Sequence, residues 1–170
     1  ILGGHAGNIA SSVYQPCKLT IDNCTNTGKV EKTGAGASNM FVGGIAAFFN
    51  GVANSATHVA NVTNCTNDGA VLNGSTGAGS WTTYTGGIVG YYHVTGELKG
   101  CANNGSVTNT TSAQIKDSFI HFRLGGIVGS ADNGAITDCT NNGEVKDESE
   151  TNAGCVGGIV GCATSKPITL

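Results

Sequence analysis

GGIVGSADNGAITDCTNNGEV, residues Gly125 to Val145, is one copy of a pattern that this chain repeats. Cys-x-Asn-x-Gly-x-Val occurs four times, at Cys24 to Val30, Cys65 to Val71, Cys101 to Val107 and Cys139 to Val145. Gly-Gly-Ile-(Val/Ala) alternates with it at Gly43 to Ala46, Gly86 to Val89, Gly125 to Val128 and Gly157 to Val160. A degenerate copy, Gly3-Gly4-His5-Ala6-Gly7, opens the chain, and the period is 32 to 43 residues. A fixed period in this range marks a solenoid, a propeller or an array. It moves the expected function from a single pocket to a long surface.

The shortest copy reads as one coil. Gly-Gly-Ile-Val-Gly is a first short strand, and Asp132-Asn133-Gly134 is a turn that accepts positive φ. Ala135 to Cys139 alternates apolar and polar, as a strand does. Asn141-Asn142-Gly143 is a second turn, Glu144-Val145-Lys146 a third strand, and Asp147 to Gly154 a polar return loop. Three strands, two tight corners and one variable loop describe a coil of a parallel β-solenoid. The expected fold is all-β, a β-helix of about four to five coils with one coil per repeat. The single domain spans 1–170, with repeats near 1–41, 42–84, 85–123, 124–155 and a partial 156–170.

Inward positions are Ile127, Ile136, Cys139, Val145 and their equivalents. Cys24, Cys65, Cys101 and Cys139 then form an internal column, and Asn26, Asn67, Asn103 and Asn141 stack at a corner in a hydrogen-bonded ladder. The glycine pairs serve either a positive φ or a close approach by another group. Two coils per repeat is the competing arrangement, but Lys146 to Ala153 has almost no apolar residue to face a core. A propeller blade needs about four strands, and three are counted.

Composition supports a stacked β protein. Glycine is 28 of 170 residues and charged residues are 11%, where about 7% and a quarter are usual. Strong helix formers are sparse, and regular Val and Ile argue against disorder. The net charge is -3 and the Lys residues are scattered, so no basic stripe exists to neutralise nucleic-acid phosphates. No apolar run approaches the roughly 18 residues of a membrane span. The chain opens on Ile1-Leu2-Gly3-Gly4, without the basic start of a signal peptide and without Met, so a processed product or a piece of something larger is expected. The seven Cys cannot all pair within one chain. In-register stacking points the column thiols the same way, so they are expected to be free. No two Cys stand two residues apart, which disfavours zinc.

These strings, with GGIVGYYHVTGELKGCANNGSV at Gly86 to Val107, resemble the GLUG-type repeats of bacterial cell-surface and secreted proteins. The resemblance covers nearly the whole chain. It implies a β-solenoid, an extracellular or cell-surface setting and an adhesin-like context, and it carries no catalytic residues. The first copy departs from the pattern, and the last stops before its Cys-x-Asn-x-Gly string.

No catalytic or metal site and no cofactor is expected. Asp132, Asp138 and Glu144 share one copy, but the matching positions elsewhere are not acidic, so a solvated face is expected. Asp147, Glu148 and Glu150 belong to a loop. His5, His58, His93 and His121 share no repeat position and are expected at the surface or an edge. The aromatics are more suggestive. Phe48 and Phe49 match Tyr91 and Tyr92, while Phe41, Tyr84 and Arg123 share a position before the glycine pairs. A ligand face of Trp81, Tyr84, Tyr91 and Tyr92 would suit sugar rings; the alternative is that these rings fill the core.

The expected function is a non-enzymatic extracellular module, a stalk, spacer or adhesive surface. The alternatives are a glycan-binding or glycan-processing β-helix and a self-assembling filament subunit. Expected partners are neighbouring repeats of a parent chain or a second copy stacked head to tail, because bare terminal strands leave backbone groups unpaired; host or bacterial glycans are a further candidate. Light scattering on the isolated chain tests the head-to-tail expectation.

Overall fold

The computed structural model describes residues 5–6, 17–35, 39–51, 58–76, 82–111, 122–149, 154–164 and 168–170, with residues 5, 6 and 17 as backbone only. Every described regular element is a strand, and every strand pairing is parallel. Each full repeat makes one turn. The central coil runs Thr83–Gly86, Val89–His93, Glu97–Lys99, Ala102–Asn103 and Val107–Asn109. The next runs Phe122–Gly125, Val128–Ala131, Ala135–Thr137, Thr140–Asn141 and Val145–Asp147. Equivalent strands of successive coils pair in register and build five sheets. The expected parallel β-solenoid with one coil per repeat is therefore the fold.

The coil has five strands where the sequence suggested three, and both extra breaks have a physical cause. The first is at the glycine pair. Gly-Gly-Ile-Val-Gly is a bend between two strands, not one strand: Gly126 and Ile127 lie between Phe122–Gly125 and Val128–Ala131. None of the paired glycines among the described residues has positive φ. From Gly43 to Gly157 they are glycine because of close approach, whereas Gly158 in the last coil has open space beside it. A Cβ on Gly87 would sit 2.2 Å from the Gly126 carbonyl oxygen and 2.3 Å from the Asn103 side chain. The second break precedes each cysteine. Asn23, Asn64 and Asp138 have φ of 57°, 52° and 54°, and Gly100, at the same repeat position, has 62°. Asn, Asp and Gly are the residues that tolerate this left-handed conformation. Cys139 thus follows a corner; it does not end a strand.

The glycine bend divides the interior. Gly126 presses on Asn141 just as Gly87 does on Asn103, and one apolar core lies on either side. The larger core stacks Ile45, Ile88 and Ile127, joined by Val62, Leu98, Ile136 and the cysteines. The smaller stacks Val71 and Val107 against Val42 and Leu124. Burying each Ile or Leu contributes on the order of 1.5–3 kcal/mol.

At the pinch the Asn column is hydrogen-bonded along the stack. Asn26 donates to Asn67, Asn67 to Asn103 and Asn103 to Asn141, each through Nδ2 to Oδ1 at 2.8 Å. The same amide also donates to the carbonyl two residues on, Gly69 and Gly105 among them. Asn67 and Asn103 are fully buried, so this doubled bonding offsets their desolvation. A second ladder, absent from the sequence argument, runs from Asn73 to Asn109 at 3.3 Å and from Asn109 to Asp147 at 3.0 Å.

The cysteine column forms as free thiols. The sulfurs of Cys65, Cys101 and Cys139 lie over a backbone carbonyl of the coil before, Cys101 over Val62 at 3.5 Å and Cys139 over Leu98 at 3.5 Å. Cys101 is pushed well above the ordinary thiol range by hydrogen bonding with Cys139 and Cys65 and by burial.

Candidate functional site: an aromatic and basic strip beside the glycine bend

On each side of the bend, one side chain per strand points away from both cores. In the strand before it the column is Phe41, Tyr84, Arg123 and Cys155. In the strand after it the column is Phe48, Tyr91, Ser130 and Cys162. The tight turn brings the two columns together. Phe41 and Phe48 have ring centroids 4.9 Å apart, Tyr84 and Tyr91 4.8 Å. Along the stack Phe41 lies nearly parallel to Tyr84 at 5.0 Å. Arg123 continues the pile, its guanidinium carbon 5.2 Å from the centre of the Tyr84 ring and its Nη1 donating to Ser130 Oγ at 2.9 Å. Aromatic pairs of this kind contribute about 0.5–1.5 kcal/mol beyond burial, and a cation over a ring a similar amount. The Arg123 Nε is buried with no hydrogen-bond partner.

A polar chain leaves the strip at Tyr91. Its hydroxyl is 2.8 Å from His93 Nδ1, and His93 Nε2 is 3.1 Å from Asp132 Oδ2. An ionised carboxylate only accepts, so Nε2 carries the proton and Nδ1 accepts from the tyrosine. Burial, helped by the nearby Tyr84 and Asp132, pushes the Tyr91 hydroxyl up to about 12 against the opposing pull of Arg123. At neutral pH it is a donor, not a nucleophile. Asp132 is only 8% exposed, which corrects the expectation of a solvated acidic face at this residue. Asp138 and Glu144 are exposed. His58 is buried, against the expectation of a surface or edge position, and His93 is half-buried. His121 and the side chain of His5 lie outside the described residues.

The four residues of the expected glycan face do not stay together. Tyr84 and Tyr91 touch, with Tyr84 9% exposed and Tyr91 half-buried. Trp81 lies outside the described residues. Tyr92 turns inward, fully buried, packed edge-on against Phe49 at 5.8 Å with its hydroxyl donating to the Ala60 carbonyl. Successive residues of a strand face opposite ways, and that alone separates Tyr91 from Tyr92.

His93 and Asp132 were missed as a pair, although aligning the repeats brings them together. Each is the seventh residue after the first glycine of its pair, Gly86 and Gly125. Among the described residues no cluster of His, Cys, Asp or Glu is arranged to hold a metal ion.

The fold is a parallel β-solenoid. Residues 121–146, which span most of one coil, match the family model of the GLUG motif. None of the curated proteins compared matches the chain, and neither does any solved structure. No described helix is long and apolar enough to cross a membrane.

Proposed function

We propose that the chain is a non-enzymatic extracellular repeat module of a bacterial surface protein, acting as a stalk, spacer or adhesive surface. Its repeats run near 1–41, 42–84, 85–123, 124–155 and 156–170, with neighbouring repeats of a parent chain or a second copy as partners. The GLUG motif is found in secreted and surface proteins, which supports the setting. The observation that carries the reading is the continuity of the stack. All five sheets keep one register from coil to coil, and the Asn ladder ties the coils along the axis. Load along the axis would fall on many hydrogen bonds at once. Single-molecule pulling from both termini tests this. Unravelling should proceed coil by coil, each step releasing about 110–150 Å of chain, as expected for 32–43 extended residues. Extension without a resolvable force would overturn the stalk.

One observation favours a second reading, a glycan-binding surface. Phe48, Tyr91 and Arg123 are partly exposed on one strip, and the strip combines ring faces with hydrogen-bond donors. Titration with oligosaccharides of several classes, followed by tyrosine fluorescence, should give saturable binding that Tyr91→Ala weakens at least tenfold. Binding of the wild type that Tyr91→Ala leaves unchanged would remove the strip from consideration.

A further inference from the structure

The two columns of the strip hold a contacting pair in each coil. Phe41 meets Phe48, Tyr84 meets Tyr91, and Arg123 meets Ser130. In the last described coil the same two positions are Cys155 and Cys162. We propose that Cys155 and Cys162 are a redox modification site, two thiols placed to close a disulfide across the Gly157–Gly158 bend.

Three features of the structure support this. First, the bend is tight: a Cβ on Gly157 would stand 2.0 Å from the Val160 carbonyl oxygen, and the cysteines flank that contact two residues out on either side. Second, the two thiols occupy the facing positions at which Arg123 reaches Ser130 one coil earlier. Third, both are unbridged and partly exposed, so a small oxidant can reach them. The column cysteines are also unbridged and adjoin one another along the stack, but they are placed differently. Cys65 and Cys101 are buried, lie in different coils, and hang over backbone carbonyls. The repeat phase therefore separates thiols stacked between coils from a pair within one coil.

The oxidant class is a low-molecular-weight disulfide, R–S–S–R. The thiolate of one cysteine attacks a sulfur of the reagent; the R–S–S–R bond breaks, a mixed disulfide forms, and R–S⁻ leaves. The second cysteine, as thiolate, attacks the protein sulfur of that mixed disulfide, and a second R–S⁻ leaves. The two protons lost by the cysteines are taken up by the two released thiolates. The protein sulfurs are oxidised by two electrons, and the reagent becomes two R–SH.

The chain is suited to a direct test. Cleavage after Lys146 yields a peptide beginning at Asp147, with Cys155 and Cys162 as its only cysteines. The folded protein is incubated with oxidised glutathione, quenched, alkylated without reduction and digested. The expected result is that this peptide lacks two hydrogen masses and takes up no alkylating reagent. Cys162→Ser should instead leave Cys155 as a stable glutathione adduct. To separate the fold from mere closeness in sequence, a synthetic peptide of residues 147–170 is brought to the same redox equilibrium. The folded protein should favour the disulfide at least tenfold more strongly. The proposal is overturned by alkylation of both cysteines, by two separate glutathione adducts on the wild type, or by equal equilibria for protein and peptide.

Discussion

Gly87 and Asn103 meet at the pinch of the central coil, and each explains the other. The glycine leaves room for the amide, and the amide holds the next coil. Replacing Gly87 by Ala places a methyl 2.2 Å from a backbone oxygen of the neighbouring coil. Backbone cannot step aside as a side chain can, so the loss should be about 3 kcal/mol or more, at or above the usual overpacking range. Asn103→Ala leaves the Asn67 amide and the Asn141 carbonyl oxygen each short of a partner. That should cost about 1–3 kcal/mol. Asn142, exposed and donating to the Asn104 side chain at 2.9 Å, should change stability by no more than about 0.5 kcal/mol when replaced by Ala. Ile127→Ala empties a fully buried site and should cost about 2–5 kcal/mol, whereas Lys146→Ala, on the exposed face, should leave the midpoint where it is. Denaturant melts of these five variants check the ranking; equal losses at Ile127 and Lys146 would show the inward and outward faces to be misassigned.

Among the strands and corners, the break before each cysteine offers the sharpest contrast. Asp138 holds φ at 54° where the neighbouring coil has Gly100 at 62°. Asp138→Gly should therefore be near neutral. Asp138→Val should cost about 1–2 kcal/mol, the penalty for a bulky residue in this conformation. This corner also shows what the sequence did and did not make legible. The repeat phase placed the cysteine and asparagine columns correctly, because a stack needs identical residues at identical phase. The number of strands was not legible. A bend forced by close approach at Gly126 looks, in sequence, like a flexible glycine inside a strand. Asn, Asn, Gly and Asp at one phase did carry the left-handed corner, but only when read down the repeats. The strip fared likewise: Tyr84 with Tyr91 followed from alignment, while the inward turn of Tyr92 needed the alternation of neighbours, and His93 with Asp132 needed a contact between coils. Tyr91 also gives a pH prediction. Its folded value, about 12, lies above the ordinary tyrosine value of about 10. The neutral form is thus favoured by folding, and this stability is present in full below pH ~10 and lost as pH rises toward ~12. Phenolate absorbance during alkaline titration should show one late-ionising tyrosine fewer in Tyr91→Phe than in the wild type, with Tyr92, also raised by burial, staying late in both, and in denaturant every tyrosine should ionise near the ordinary value.

The stack as a whole should not be equally stable along its length. In a solenoid each coil touches only its neighbours, so stability is a sum of coil and interface contributions. The central coil has partners on both sides, and Ile88, Leu98 and Val107 are fully buried there. At one sheet position Leu124 is fully buried while its partner in the last coil, Val156, is 51% exposed. Backbone amides should follow this gradient in native-state hydrogen exchange. Those of Ile88, Val89 and Val107, which bond to the next coil, should open only with the whole stack. Those of Val160 to Ala163 should open first, at lower cost. A substitution then serves as a probe of coupling. Leu98→Ala weakens both interfaces of the central coil, so it should lower protection in the coils on either side as well as in its own. Val160→Ala should lower protection in the last coil and leave Ile88 and Val107 as they were. If both substitutions lower every protected amide by the same amount, the coils unfold as one block, and the nearest-neighbour account of this stack is wrong.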